Sequence, residues 1–220
     1  MRGRFWKLLG LMVILVLAGE WAIAGSAPAS VGPSKVVEDL LGTVKKIKKA
    51  ENDTALTPAE QRQNSELSKE VHKSLDIEGI SAYALHDHWN KRSPQEKRAF
   101  VETFTTLLEK VAYTNTGKFL KDLDPNIKKE KILGKKAMVY TSVIHEKEGR
   151  IDIDFKLRQA STSWVVDDVI LDGVSLVRNL RTQCLKIVRD DSFQELLRRM
   201  REKIEKTEVD EDIDEITGRY

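Results

Sequence analysis

The chain of 220 residues has a formal charge of +2, with 33% charged and 40% hydrophobic residues and a single cysteine. Arg2, Arg4 and Lys7 against Glu20 account for the whole excess, so the remainder is neutral and nucleic-acid binding by a broad basic field is not supported. A lone Cys184 excludes an internal disulfide, and the fold must be held by packing.

The three cations precede an apolar run over residues 8–18, and Ala22, Ile23 and Ala24 follow. That order predicts a secretory signal peptide over 1–24, cleaved after Ala24, because the run falls short of the roughly 20 residues a spanning helix needs; an uncleaved N-terminal anchor is the alternative, since Glu20 and Trp21 precede the cleavage site. A single domain is expected over 25–205. Residues 206–220 hold Glu208, Asp210, Glu211, Asp212, Asp214 and Glu215 against Lys206 and Arg219, and are expected to form an acidic, solvated tail.

The first half of the domain reads as helical. Val36, Val37, Leu40, Leu41, Val44 and Ile47 form a stripe that begins after Pro33, and Lys45, Lys46, Lys48 and Lys49 are placed to close it. Thr57-Pro58-Ala59-Glu60 is a capping box that opens a helix with a thin stripe through Leu67, Val71 and Leu75. A second box, Ser93-Pro94-Gln95-Glu96, opens the helix of Phe100, Phe104, Leu107, Leu108 and Val111.

From Ile127 the period becomes two. Residues 138–144 and 151–157 flank a turn containing Gly149, which predicts a hairpin; Ile151, Ile153, Phe155 and Leu157 alternate with Asp152, Asp154, Lys156 and Arg158. Residues 164–171 are apolar on both faces except at Asp167 and Asp168, as an interior strand would be. Two helices follow, with stripes through Val177, Leu180, Cys184, Ile187 and Val188, and through Phe193, Leu196, Leu197, Met200 and Ile204; Ser192 and Glu195 suggest a third capping box. Helices, a strand meander and closing helices predict an α+β fold with an antiparallel sheet.

No residue pattern points to catalysis. His86 and His88 flank Asp87 in helical surroundings, where two residues one apart diverge, so a surface or helix-end role is expected and no metal site. Asp152 and Asp154, and Asp167 and Asp168, present no pair suited to acid–base work, and the phosphate-loop, nucleophile-elbow and zinc-helix motifs are not found.

The run Trp164-Val165-Val166-Asp167-Asp168-Val169, then Asp172-Gly173-Val174-Ser175-Leu176-Val177 and Asn179-Leu180-Arg181, resembles the signature of the MlaC family, also described as toluene-tolerance auxiliary proteins. Leu85 and Trp89, followed by Lys97-Arg98-Ala99-Phe100, Phe104 and Leu107, resemble its other recurrent stretch, and the likeness extends from about Val36 to Ile204. His86 departs from a family glycine, and Phe155 and Leu180 from family tyrosines.

The resemblance implies helices and a sheet enclosing an apolar cavity that takes phospholipid acyl chains, with no cofactor and no enzymatic activity. It also implies export to the periplasm and two partners, an inner-membrane ABC transporter complex and an outer-membrane lipoprotein complex. A carrier answers a physical need, because a bare diacyl lipid crossing water exposes apolar surface worth on the order of 20 kcal/mol. Cavity-lining candidates are Phe100, Phe104, Leu107, Ile153, Phe155, Leu157, Val166 and Ile170, each equally suited to solid core. Asp168, Ser175 and Arg181 are head-group candidates, set against a capping role for Ser175 and an acid partner for Arg181. A small hydrolase or isomerase on a cone-shaped fold, and an adaptor working through its acidic tail, are the alternatives.

Overall fold

The computed structural model describes residues 31–50, 55–161 and 163–206. The expected signal peptide therefore lies outside the described residues, as does the expected tail beyond Lys206.

Helix α1 (Pro33–Val44) buries Val37, Leu40, Leu41 and Val44 along one face. It stops before all four lysines expected to close it, with Lys45 at its C-cap. Lys45 reaches across instead, donating from Nζ to the Leu123 carbonyl at 2.8 Å and to Asp124 at 3.0 Å. Both proline-led capping boxes form: Thr57 with Glu60 opens α2 (Pro58–Lys73), and Ser93 with Glu96 opens α5 (Pro94–Leu107).

Between them lie α3 (Ile77–Leu85), capped by Asp76, and the single turn α4 (Asp87–Asn90). His86 joins the two at φ +48, a conformation that glycine adopts freely and a side chain resists. This explains why a glycine suits the corresponding place in the resembled pattern.

After α5 the chain does not end its helix. A π-helical stretch, Leu108–Ala112, carries it into α6 (Tyr113–Leu120). Each π hydrogen bond spans one residue more than an α hydrogen bond, so the buried face rotates about the axis on passing through the stretch. Phe100 and Phe104 before the stretch, and Tyr113 and Leu120 after it, consequently enter different parts of the interior.

Among the described residues the sheet contains five antiparallel strands in sequential order: β1 (Asn126–Leu133), β2 (Lys136–His145), β3 (Gly149–Ala160), β4 (Ser163–Leu171) and β5 (Val174–Ser175). The expected alternation in β3 is observed, with Ile151, Ile153, Phe155 and Leu157 buried. β4 is interior, as its double-sided apolar pattern indicated. β5 pairs with one part of its free edge, and at the other Val166 exchanges backbone hydrogen bonds with Ser74 (2.7 Å) and Asp76 (2.9 Å).

A register shift between Lys156 and Leu157 makes Asp167 the extra residue of a bulge in β4. Val166 then sits beside Leu157, but Asp168 falls beside Lys156 and Ile170 beside Asp154, on the other face. The helices α7 (Leu176–Asp190) and α8 (Phe193–Lys206) complete an α+β fold. At the start of α8 Ser192 accepts from the Glu195 N–H at 3.0 Å, while the Glu195 carboxylate turns to Arg198 and Arg199.

Among the described residues the buried apolar side chains form two clusters. One lies between the inner face of the sheet and α1, α2 and α6; the other is built from α3, α5, α7 and α8. Leu108, in the π-helical stretch, packs against both.

Candidate functional site

The sheet-side interior begins with the inward residues of three strands: Ala137, Val139, Thr141 and Val143 on β2, Ile151, Ile153, Phe155 and Leu157 on β3, and Trp164 and Val166 on β4. Val37, Leu40, Leu41 and Val44 of α1 cover it, with Val71 of α2 and Tyr113 and Leu120 of α6. Gly117 lets α6 approach α1 closely: a Cβ there would stand 2.3 Å from the Ile47 carbonyl oxygen and 2.8 Å from that of Val44.

This interior is not uniformly apolar. Thr141 is 1% exposed and Tyr113 5%, and among the described residues neither hydroxyl has a hydrogen-bond partner. The Asn115 Nδ2 is likewise buried and unpaired. A buried hydroxyl without a partner costs about 1–3 kcal/mol, so a region built only for packing would not retain two. Burial, reinforced by Glu109, pushes the Tyr113 phenol far above its ordinary value, so it stays protonated and able to donate. His72 packs its ring 5.8 Å from that of Tyr113, and burial holds its imidazole below the ordinary value despite Glu109 at 3.5 Å.

Residues 36–202 match the family model described as MlaC protein. This chain belongs to the MlaC family. Among solved structures it is similar to a phospholipid-binding protein from Ralstonia solanacearum in complex with a phospholipid, at a TM-score of 0.65 and 15% identity. The likeness covers 82% of this chain and 99% of that one, and at such identity it is a likeness of fold. No curated protein matches the sequence.

In this MlaC-family chain the candidate lining residues do not share one surface. Ile153, Phe155, Leu157 and Val166 lie together in the sheet-side interior. Phe100 and Phe104 belong to the helical cluster, with Leu107 packed against it. Ile170 is half-buried and stands on the opposite face of the sheet because of the Asp167 bulge. Thr141, Tyr113 and Asn115 were not anticipated. Thr141 occupies an inward position between Val139 and Val143 and was legible from alternation; Tyr113 is brought inward by the π-helical stretch, which leaves no mark on periodicity.

The head-group candidates are engaged in structure. Asp168 accepts from Lys156 Nζ at 3.0 Å, Ser175 Oγ at 2.8 Å and the Val177 N–H at 3.2 Å. Ser175 in turn caps α7 by accepting from the Arg178 N–H at 3.0 Å. The Arg181 guanidinium lies 4.9 Å from the centre of the Tyr83 ring, a cation–π contact in place of the expected acid partner. A cleft of about 270 Å³ runs beside these groups, lined by Asp76, Tyr83, Lys156, Asp167, Asp168 and Arg178 among others. Two of its carboxylates, Asp76 and Asp168, are held by other partners: Asp76 pairs with Arg158, which holds it below the usual carboxylate range, and also caps α3. Burial raises Asp167, with Asp168 and Asp76 adding to the rise. Cys184 is buried among the helices, its thiol pushed up to about 12, and serves as core. His86 sits at the end of α3, as a helix-end role requires.

Proposed function

We propose that this protein is a phospholipid carrier that takes acyl chains into the sheet-side interior and moves lipid between membrane complexes outside the cytoplasm. Membership of the MlaC family over residues 36–202 carries this reading. The fold it shares with a phospholipid-bound protein from Ralstonia solanacearum supports it. Residues 1–24 direct export to the periplasm, where an inner-membrane ABC transporter complex and an outer-membrane lipoprotein complex are the partners; residues 25–205 form the lipid-binding domain. Among the described residues no helix is long and apolar enough to cross a membrane, which suits a shuttle.

Ile153, Phe155, Leu157 and Val166 are the proposed acyl-chain contacts, and Phe100, Phe104 and Leu107 are proposed to support them as scaffold. Dispersion and desolvation supply the affinity, and hydroxyls of Tyr113 and Thr141 are free to donate to the ester carbonyls of a lipid that enters. No bond is made or broken, so the protein acts as a binder and not as an enzyme. Native mass spectrometry of protein purified without detergent tests the reading. A retained mass of a diacyl phospholipid is expected. Protein that neither copurifies with phospholipid nor extracts it from vesicles overturns it.

A further inference from the structure

The β1–β2 hairpin is chemically unlike the rest of the molecule. β1 is an edge strand exposed along nearly its whole length, and residues 126–136 hold Lys128, Lys129, Lys131, Lys135 and Lys136 against one acid, Glu130. Glu130 does not neutralise them. It lies on the inner face beside Val139 and accepts from the Ser34 N–H at 2.7 Å, at the start of α1. Lys129 and Lys131 alternate with it onto the outer face, where Lys129 lies 5.9 Å from the centre of the Tyr140 ring. Among the described residues none of the five lysines meets a carboxylate at salt-bridge distance; Lys128 feels Asp154 only as a longer-range attraction. The neutral balance of the body conceals this local excess.

The tip adds apolar surface. Leu133 is 76% exposed and Ile132 50%, and Leu133 pairs with Lys136 across a two-residue turn in which Gly134 takes φ +58. A turn of this length with a positive φ at its first central residue is tight, so the two aliphatic side chains are held at a fixed place rather than on a loose loop. Lysines on an edge strand commonly prevent pairing with another sheet. That duty does not require a leucine and an isoleucine at the exposed end.

We propose that this hairpin is a docking surface for an anionic lipid bilayer, with Leu133 and Ile132 entering the interface and the five lysines facing its head groups. Apolar side chains ringed by cations are the arrangement that gains from both the acyl boundary and the negative surface potential. Each lysine brought to an anionic surface multiplies partitioning by about fivefold at moderate salt. Ile132 pairs with Ala137, a member of the sheet-side cluster, so docking brings that end of the interior toward the membrane. The inference is independent of what the interior carries.

The test is co-sedimentation of the exported protein, expressed from its full-length sequence so that its N-terminus is processed in the cell, with vesicles of phosphatidylcholine alone or with about a third phosphatidylglycerol. Binding to the acidic vesicles is expected to be at least about tenfold tighter and to weaken as salt is raised. Replacing the five lysines together by Gln should remove that preference, and Leu133→Ser, at an exposed position, should weaken acidic-vesicle binding several-fold with circular dichroism unchanged. Lys69→Gln with Lys73→Gln, on the exposed face of α2, should change nothing. Equal binding to both vesicles, binding to neither, or a Gln variant that binds as wild type does would overturn the proposal. Native mass spectrometry of bound lipid, run on each variant, reads the cargo separately, so loss of docking and loss of carriage are distinguishable.

Discussion

The two apolar clusters differ in how they treat their polar groups. In the helical region the buried hydroxyls of Ser81 and Thr103 donate to carbonyls one turn back, at Ile77 (2.8 Å) and Ala99 (2.7 Å). Phe100 packs against Phe104 and Phe193 at centroid separations of 6.2 and 6.4 Å, and the Arg92 guanidinium covers the Phe193 ring at 5.1 Å. Both of these hydroxyls are satisfied within their own helices, and of the polar atoms here the Arg92 Nε is buried without a partner among the described residues. In the sheet-side interior Thr141 and Tyr113 are equally buried and have no such partner. The first arrangement satisfies its hydroxyls within the chain, as the proposed scaffold should, and the second leaves two without a partner, as the proposed lipid site should.

The largest effect should come from the scaffold. Phe100→Ala removes a fully buried ring and is expected to cost about 3–5 kcal/mol in urea denaturation, while protein that remains folded keeps its bound lipid. Lipid loss without loss of stability would reverse the roles assigned to the two clusters. Gly117→Ala should be next, at about 1–3 kcal/mol, because the new Cβ must push α6 away from the end of α1. Since that contact closes the sheet-side interior, the lipid occupancy seen by native mass spectrometry should fall with it.

The sharpest contrast is between hydroxyls. Thr141→Val and Tyr113→Phe remove unpaired groups and are expected to leave stability unchanged or raise it by about 1 kcal/mol, while lowering lipid retention. Thr103→Val, which removes a paired hydroxyl, should not raise it. Destabilisation by Thr141→Val comparable to a lost hydrogen bond would mean that the hydroxyl is already satisfied. His86→Gly, at an exposed position between α3 and α4, should raise the thermal midpoint by a stabilisation of about 1 kcal/mol, because φ +48 strains any residue with a Cβ.

The smallest expected effect is a pH dependence. Burial lowers the His72 pKa in the folded protein, so the unfolded chain binds the proton more readily. The stabilising contribution of the neutral imidazole is therefore complete above the unfolded value of 6.5 and declines as pH falls below it. Denaturation midpoints between pH 7 and 5 should show this slope in wild type and less of it in His72→Gln.

Much of the molecule was determined by local sequence. The Thr57 and Ser93 capping boxes, the inward alternation of β3, the interior place of β4 and the core role of Cys184 are short-range consequences of residue type and spacing, and the runs around Trp164 and Phe100 carried the family. Tertiary structure decided the rest. The Asp167 bulge set Ile170 on the opposite face from Val166, because a single inserted residue reverses a period of two. The π-helical stretch turned one continuous helix from the helical cluster into the sheet-side interior, so Phe104 and Phe155, both expected to line the cavity, lie in different clusters. β1 was legible only as the onset of a period of two at Ile127, and β5 escaped notice, because edge strands bury little and alternate weakly. Which buried hydroxyls find a partner depends on what packs across from them, and that is a property of the assembled chain.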